Sequence, residues 1–366
     1  MVAPDDFKGS LTADAAARAI AEGWQQVAPD DDIDLCPMSD GGPGFVDTLA
    51  GALGGELIGA TVSGPLGAPT PGAILIVGRT AYVESAQACG LHLVPPGQRD
   101  PAATTTFGVG ELLRLAAESG ASRIVVGLGG SATNDGGAGM LAALGATADV
   151  RLDAGGLALR GATRVDISPA VAAVAGVEIL AATDVDNPLL GLTGAAKVFG
   201  SQKGADDNLV LMLDAALEAF AKAIGRRGDG KDPAVAKGSG AAGGLGYGLL
   251  CLGATRVPGI ATVMEATDLQ ARIRNCDLVI TGEGRFDWQS LRGKVVSGVA
   301  SATLPTARPC VVIAGDVLVG RREFSALGIS SAYSIAEVVG SVDASLADPV
   351  GTLTQTAARI ARTWSH

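Results

Sequence analysis

Histidine is almost missing from this sequence: His92 and His366 are the two in 366 residues. A zinc site or a Ser-His-Asp triad therefore has almost nothing to be built from. His92 follows an apolar Gly-Leu step and reads as a packed side chain. Cysteine is also sparse. Cys36, Cys89, Cys251, Cys276 and Cys310 show no C-x-x-C or other paired spacing, which suits buried reduced thiols. Positive charge is in deficit, with 27 Lys and Arg against 38 Asp and Glu and a formal net charge of -11. That balance argues against the broad basic surface that attracts nucleic acid or anionic lipid. No run of about 18 uncharged apolar residues occurs, and nothing near Met1 resembles a secretory n-region and h-region. The expectation is a cytoplasmic protein with small-molecule partners, no nucleic acid or membrane, and self-association into a homo-oligomer left open. Its chemistry must fall to carboxylates, lysines, hydroxyls and backbone N–H groups.

What is present is a core-forming composition, 48% hydrophobic, in a chain long enough for two domains. "TADAAARAIAEGWQQV" begins at a plausible Thr12 N-cap and puts Ala16, Ile20 and Trp24 on one face, which predicts an amphipathic helix. "DIDLCPMSDGG" reads as a strand entering a glycine turn, with a helix in "GFVDTLAGALGG". "CDLVITGEG", "GKVVSGVASATL" and "PCVVIAGD" repeat the order strand, helix, strand. Such alternation predicts a parallel sheet covered by helices, with ligand at the carboxyl ends of the strands. In the middle, "GAILIVGRTAYVESA" suggests a hairpin around Gly78 to Thr80, and helices are expected near 107–118, 137–144 and 208–224. The glycine-rich "GRRGDGKDPAVAKGSGAAGGLG" reads as a mobile loop. The fold class expected is α/β and two-lobed. An open Rossmann-like parallel-sheet domain, residues 1–66 and 272–366, would carry a second α/β domain, residues 67–271, inserted into it, with ligand in the cleft between the lobes.

The stretch "RIVVGLGGSATNDGGAGML", residues 123–141, admits three readings. Gly127, Gly129 and Ala132 match a relaxed dinucleotide fingerprint after an apolar strand, and Asp149 stands where a ribose-binding acid would sit, so an NAD-dependent dehydrogenase is one. Against it, polar "SATND" occupies the place where the helix should begin. A plain glycine turn with Asp135 as a helix cap is the second. The third is a phosphate cradle, and four more glycine-flanked acidic loops favour it: "PDDFKGS", "MSDGGPG", "ATDVDNPLLG" and "TGEGRFDWQ". Glycines let N–H groups approach phosphate, carboxylates hold magnesium or accept a hydroxyl proton, and lysines offset developing charge.

Taken in order, "APDDFKGSLTA", "PMSDGGPGF", "GGSATNDGGAGMLAALG", "DVDNPLLGLTGAAKVFGSQKGA", "GAAGGLGYG" and "DLVITGEGRFDWQSLRGK" resemble the bacterial class I glycerate kinases over essentially the whole chain. The resemblance implies ATP-dependent phosphorylation of D-glycerate, usually to 2-phosphoglycerate. A kinase for another small hydroxy acid, or a binding protein that has kept the fold, would share much of this pattern. Two positions depart from the family: Asp6 replaces a serine, and Pro43 stands where an acid is usual.

The mechanism expected is in-line attack of a glycerate hydroxyl on the γ-phosphate of Mg-ATP, accelerated by positioning and electrostatics. Gly129, Gly130, Ser131 and Thr133 are expected to cradle phosphate, with Lys203 and Lys294 neutralising it. Asp135 and Asp184 are expected to bind Mg2+ or to take the hydroxyl proton, and Asp186 to share the metal. Lys8, Asp40, Glu283 and Asp287 are expected to border the glycerate.

Overall fold

The computed structural model describes residues 1–7, 9–291 and 294–365. The chain divides into two compact units, one made of Met1–Asp40, Asp47–Leu53 and Ile260–His366, the other of Gly41–Val46 and Gly54–Gly259. The class is mixed α/β.

The second unit is organised by a six-stranded sheet. Its strands are β1 (Glu56–Ser63), β2 (Pro69–Val77), β3 (Thr80–Glu84) and β4 (Arg123–Gly127), followed by β7 (Glu178–Ala182) and β8 (Thr255–Val257). The short strands β5 (Thr147–Ala148) and β6 (Val165–Asp166) form a separate antiparallel pair. The order β1-β2-β3-β4-β7-β8 is antiparallel from β1 to β3 and parallel from β3 to β8. The expected hairpin closes with Val77 opposite Thr80. Helices Phe107–Glu118, Ala138–Ala143 and Asp207–Ile224 lie where the apolar periodicity puts them. Their Leu112, Leu113, Leu141, Leu217 and Phe220 are buried in one cluster with Val83, Ile124 and Val126 of the sheet. Removing side chains of this size from water is worth roughly 1.5–3 kcal/mol each.

One segment corrects its expectation. Part of "GRRGDGKDPAVAKGSGAAGGLG" is a 3-10 turn at Pro233–Val235, and its end opens the helix Ala241–Cys251, where every residue except Ala242 and Leu250 is buried. Ala242, Gly243 and Gly244 take left-handed backbone angles there. A Cβ on Gly243 would collide with the Thr133 carbonyl, so this glycine permits a close backbone crossing where mobility was expected.

The first unit is built on three parallel strands, β9 (Val279–Phe286), β10 (Cys310–Val317) and β11 (Ile329–Ser334), in the order β11-β10-β9. The predicted strand-helix-strand run appears as β9, the helix Val295–Thr303 and β10. Val2 forms parallel bridges with both Ile280 and Leu35. The Ala3 N–H donates to the Ile280 carbonyl at 2.7 Å, and the Cys36 N–H to the Val2 carbonyl at 2.8 Å. The chain start and the "DLCPM" segment thus extend the sheet as short bridges. Thr12 caps the helix Ala13–Gln25, its Oγ1 accepting the Ala15 N–H at 3.2 Å. Ile20 and Trp24 from this helix join Ile280, Val311, Ile313, Leu353 and Ile360 in the core. Among the described residues, no helix is long and apolar enough to cross a membrane.

Candidate active site

In the second unit, Glu84, Gly127 and Ala182 are aligned neighbours at the carboxyl ends of β3, β4 and β7. The loops beyond them leave the same edge of the sheet, where open α/β sheets bind ligands. The Leu128 N–H donates to the Ala182 carbonyl at 2.9 Å, tying the glycine loop after β4 to the loop after β7. The loop Gly41–Phe45 lies against both. A Cβ on Gly129 would stand 2.6 Å from the Gly42 Cα, and one on Gly130 would stand 2.9 Å from two ring carbons of Pro43. Gly130 also has φ +64. Both glycines are therefore explained by loop-on-loop contact, and Pro43 is the ring that Gly130 accommodates. Their backbone still reaches the surface, half-buried at Gly129 and exposed at Gly130.

The rest of that loop turns inward. Ser131 and Thr133, expected as phosphate ligands, are 5% and 0% exposed. Lys203, itself 3% exposed, donates from Nζ to the Ser131 Oγ at 2.9 Å and to the Thr133 carbonyl at 2.6 Å. Its burial lowers its pKa to about 8, opposed by the neighbouring Cys89 and Asp135. Asp135 is fully buried, and its carboxylate accepts four hydrogen bonds. They come from the Thr106 N–H and hydroxyl, both at 2.8 Å, the Gly137 N–H at 3.1 Å and the Gly139 N–H at 3.2 Å. Burial raises its pKa, against those bonds. A carboxylate so enclosed braces the entry to the helix Ala138–Ala143 and is turned away from solvent. In this structure the Asp135 carboxylate, expected to bind metal or take a proton, is occupied by these donors. Lys203 thus ties the Ser131 hydroxyl and the Thr133 backbone together on the inner side of the loop.

Asp184 differs. It lies two residues past the end of β7, is half-buried, and accepts the Gly259 N–H on Oδ1 at 3.1 Å. Asp186, expected as a metal partner, is exposed and paired with Lys237 at 3.0 Å and Arg256 at 2.8 Å. The Lys237 hydrogen bond is the main reason that its pKa is lowered. Among the described residues, no group of three or more His, Cys, Asp or Glu side chains is placed to hold a metal by itself.

The dinucleotide reading fails on position. The helix after β4 begins at Ala138, well past Gly129, so the glycines do not open it. Asp149 is engaged by its own neighbourhood, accepting the Thr163 hydroxyl, the Thr163 N–H at 3.2 Å and the Arg164 N–H at 3.2 Å. These bonds, the Thr163 hydroxyl first, lower its pKa to about 2 and make it a staple beside β5 and β6.

In the first unit, the carboxyl ends of β9 and β10 and the residue after β11 border a cavity of about 400 Å³. Glu283 and Asp287, expected to border the glycerate, and Lys294, expected to neutralise phosphate, all line it. Asp287 also shapes its own turn, its Oδ1 accepting the Gln289 N–H at 2.8 Å. Asp6, Arg285 and Asp316 line the cavity too and were missed. The signal for Asp316 was legible, an acid closing the apolar run "PCVVIAGD". Asp40 is half-buried at the end of the segment that follows Leu35. Lys8 lies outside the described residues.

Comparison with known proteins supplies the family. The glycerate kinase family model matches residues 1–365. A glycerate kinase of Halalkalibacterium halodurans is 42% identical over 372 residues, covering 99% of this chain and 97% of the relative. The glycerate 2-kinase of Escherichia coli K12 is 42% identical over 352 residues, covering 94% and 92%. A crystal structure assigned to glycerate kinase 2 of Salmonella typhimurium LT2 superposes with a TM-score of 0.77 at 38% identity, covering 99% of this chain and 96% of that one. With its parallel strands, its glycine loop and the match along its whole length, the chain belongs to the glycerate kinase family, a family of phosphotransferases.

Proposed function

We propose that this enzyme transfers the γ-phosphoryl group of ATP to D-glycerate in a magnesium-dependent reaction that yields 2-phosphoglycerate. The observation that carries the reading is the pairing of β4 with β7. It puts the surface-reaching backbone of Gly129 and Gly130 and the half-buried carboxylate of Asp184 just beyond two aligned strand ends. Phosphoryl transfer asks the protein chiefly for position and charge, because its loose transition state needs little covalent assistance. The N–H groups of Gly129 and Gly130 would hold phosphate oxygens, and Lys203 would keep their loop in shape from behind.

Mg2+ is usually held by one or two carboxylates together with phosphates and water, so the half-buried Asp184 at the strand end suits it better than Asp186, which is exposed and paired with Lys237 and Arg256. When bound there, the ion neutralises charge on the phosphates. In the first unit, Glu283, Asp287 and Asp40 would orient the acceptor and Lys294 would offset negative charge. The same reading takes the first unit as a Rossmann-like domain into whose sequence the second is inserted.

The test is ATP consumption over a panel of small hydroxy acids, with the product identified by phosphorus NMR. D-Glycerate should be the preferred acceptor and 2-phosphoglycerate the product. Preference for another acid would move the substrate, a 3-phosphate would move the reacting hydroxyl, and full turnover in EDTA would end the magnesium assignment.

A further inference from the structure

The first unit's cavity has an apolar side that a three-carbon acid would leave uncovered. Its volume of about 400 Å³ falls in the range of roughly 300–1,000 Å³ typical of sites for larger organic ligands. Its lining has two characters. Leu11, Ile335, Val342 and Leu346 form an apolar wall, whereas Arg285, Lys294 and several carboxylates form the charged part. Val342 is 44% and Leu346 56% exposed, which leaves apolar surface uncovered inside a concave site. D-Glycerate carries a carboxylate and two hydroxyls and has no apolar face to cover that wall. A nucleoside has both parts needed, a flat base of low polarity and a ribose diol that a carboxylate can accept from.

Position supports the same ligand. The cavity opens at the carboxyl ends of parallel strands, and Asp316 near the end of β10 is the type of residue that accepts ribose hydroxyls in such folds. We propose that this cavity is the nucleoside subsite, with adenine against Leu11, Ile335, Val342 and Leu346, the ribose on Asp316, and the phosphates leaving past Arg285 and Lys294. The proposal rests on the kinase reading for the identity of the nucleotide. It changes the expectation that this pocket serves the hydroxy acid alone.

The experiment titrates ATP, adenosine and inorganic triphosphate into the full-length protein by calorimetry, with Leu346→Gln, Leu346→Met and Asp316→Asn alongside the natural sequence. Adenosine should compete with ATP. Leu346→Gln should weaken both by about tenfold, from partial loss of one leucine contact, and Leu346→Met should restore most of it. Asp316→Asn should weaken ATP while 2′-deoxy-ATP is less affected, and triphosphate binding should be indifferent to Leu346. Unchanged ATP affinity in both Leu346→Gln and Asp316→Asn would overturn the proposal, as would a rise in the KM for D-glycerate with that for ATP untouched. Because Leu346 is largely exposed, its replacement leaves the core intact, and Asp316→Asn gives an independent reading. Failure of D-glycerate as acceptor would count against the proposed substrate while these titrations still report on the subsite.

Discussion

The two parallel sheets finish differently at their carboxyl ends. In the second unit the loops close on one another, and Thr133, Asn134, Asp135 and Lys203 are all 3% exposed or less. In the first unit the loops stand apart around a cavity into which carboxylates, cations and apolar side chains face. A polar residue after a strand can thus serve two ends. In the closed loops it holds backbone in place, and in the open ones it faces the cavity. Substitutions should therefore register as lost stability in the first case and as altered binding in the second.

The hardest break of that contrast is Asp135→Ala. It strands buried donors of Thr106, Gly137 and Gly139, each worth about 1–3 kcal/mol when left unsatisfied, so the second unit should lose roughly 4 kcal/mol. Asp287→Ala, which removes one turn bond, should cost about 1 kcal/mol and show instead in substrate KM. Urea denaturation of both variants measures the difference, and equal losses would erase the distinction between the units.

Lys203 offers a pH test. Its pKa falls from 10.5 unfolded to about 8 folded because burial disfavours the ammonium. The penalty is fully present below about pH 8 and is relieved as pH rises toward 10.5, where the unfolded chain still holds its proton and the folded one does not. Relative to Lys203→Met, the natural protein should therefore gain stability across that window, by no more than roughly 3 kcal/mol. Chemical denaturation at pH 7, 8.5 and 10 would reveal it, and a flat difference would mean that the ammonium is better solvated than its surroundings indicate.

Asp184→Asn sharpens the contrast from within the second unit. Asparagine keeps an acceptor for the Gly259 N–H, so the fold should survive, while kcat should drop at least about a hundredfold. An intact kcat would return Asp184 to loop bracing. A modest effect is expected at Gly130→Ala, where left-handed strain and the Pro43 contact together should cost about 1–2 kcal/mol and weaken ATP binding. Adding Pro43→Gly should recover part of that loss, a coupling that strain alone would not produce.

Much of the fold was legible because it rests on local chemistry. The Thr12 cap, the Val77–Thr80 turn and the strand-helix-strand run ending in "PCVVIAGD" each announce themselves within about a dozen residues. The site was legible as a set of loops and obscure as a set of roles. Asp135 and Asp184 both follow apolar strands, and what separates them is depth, Asp135 being enclosed with the Gly137 and Gly139 N–H groups on its carboxylate and Asp184 only half-buried. Pro43 looked like a lost acid until its ring met Gly130, a contact between segments far apart in the chain. "GAAGGLG" looked mobile because glycine signals freedom locally, whereas here it permits burial against Thr133.

Val2 has a consequence for synthesis. It bridges Leu35 on one side and Ile280 on the other, so the middle of the first unit's sheet cannot assemble until the chain has been made past Ile280. At about 5–20 residues per second, the ribosome imposes an interval of roughly 15–60 seconds during which the N-terminal segment must remain unpaired on its far side. The second unit, complete in sequence at Gly259, is finished about 1–4 seconds before Ile280 is added and can begin to fold first. A nascent chain arrested shortly before Ile280 emerges should therefore protect the second unit from protease and leave the first forty residues open to cleavage, a vulnerable window set by the order of translation.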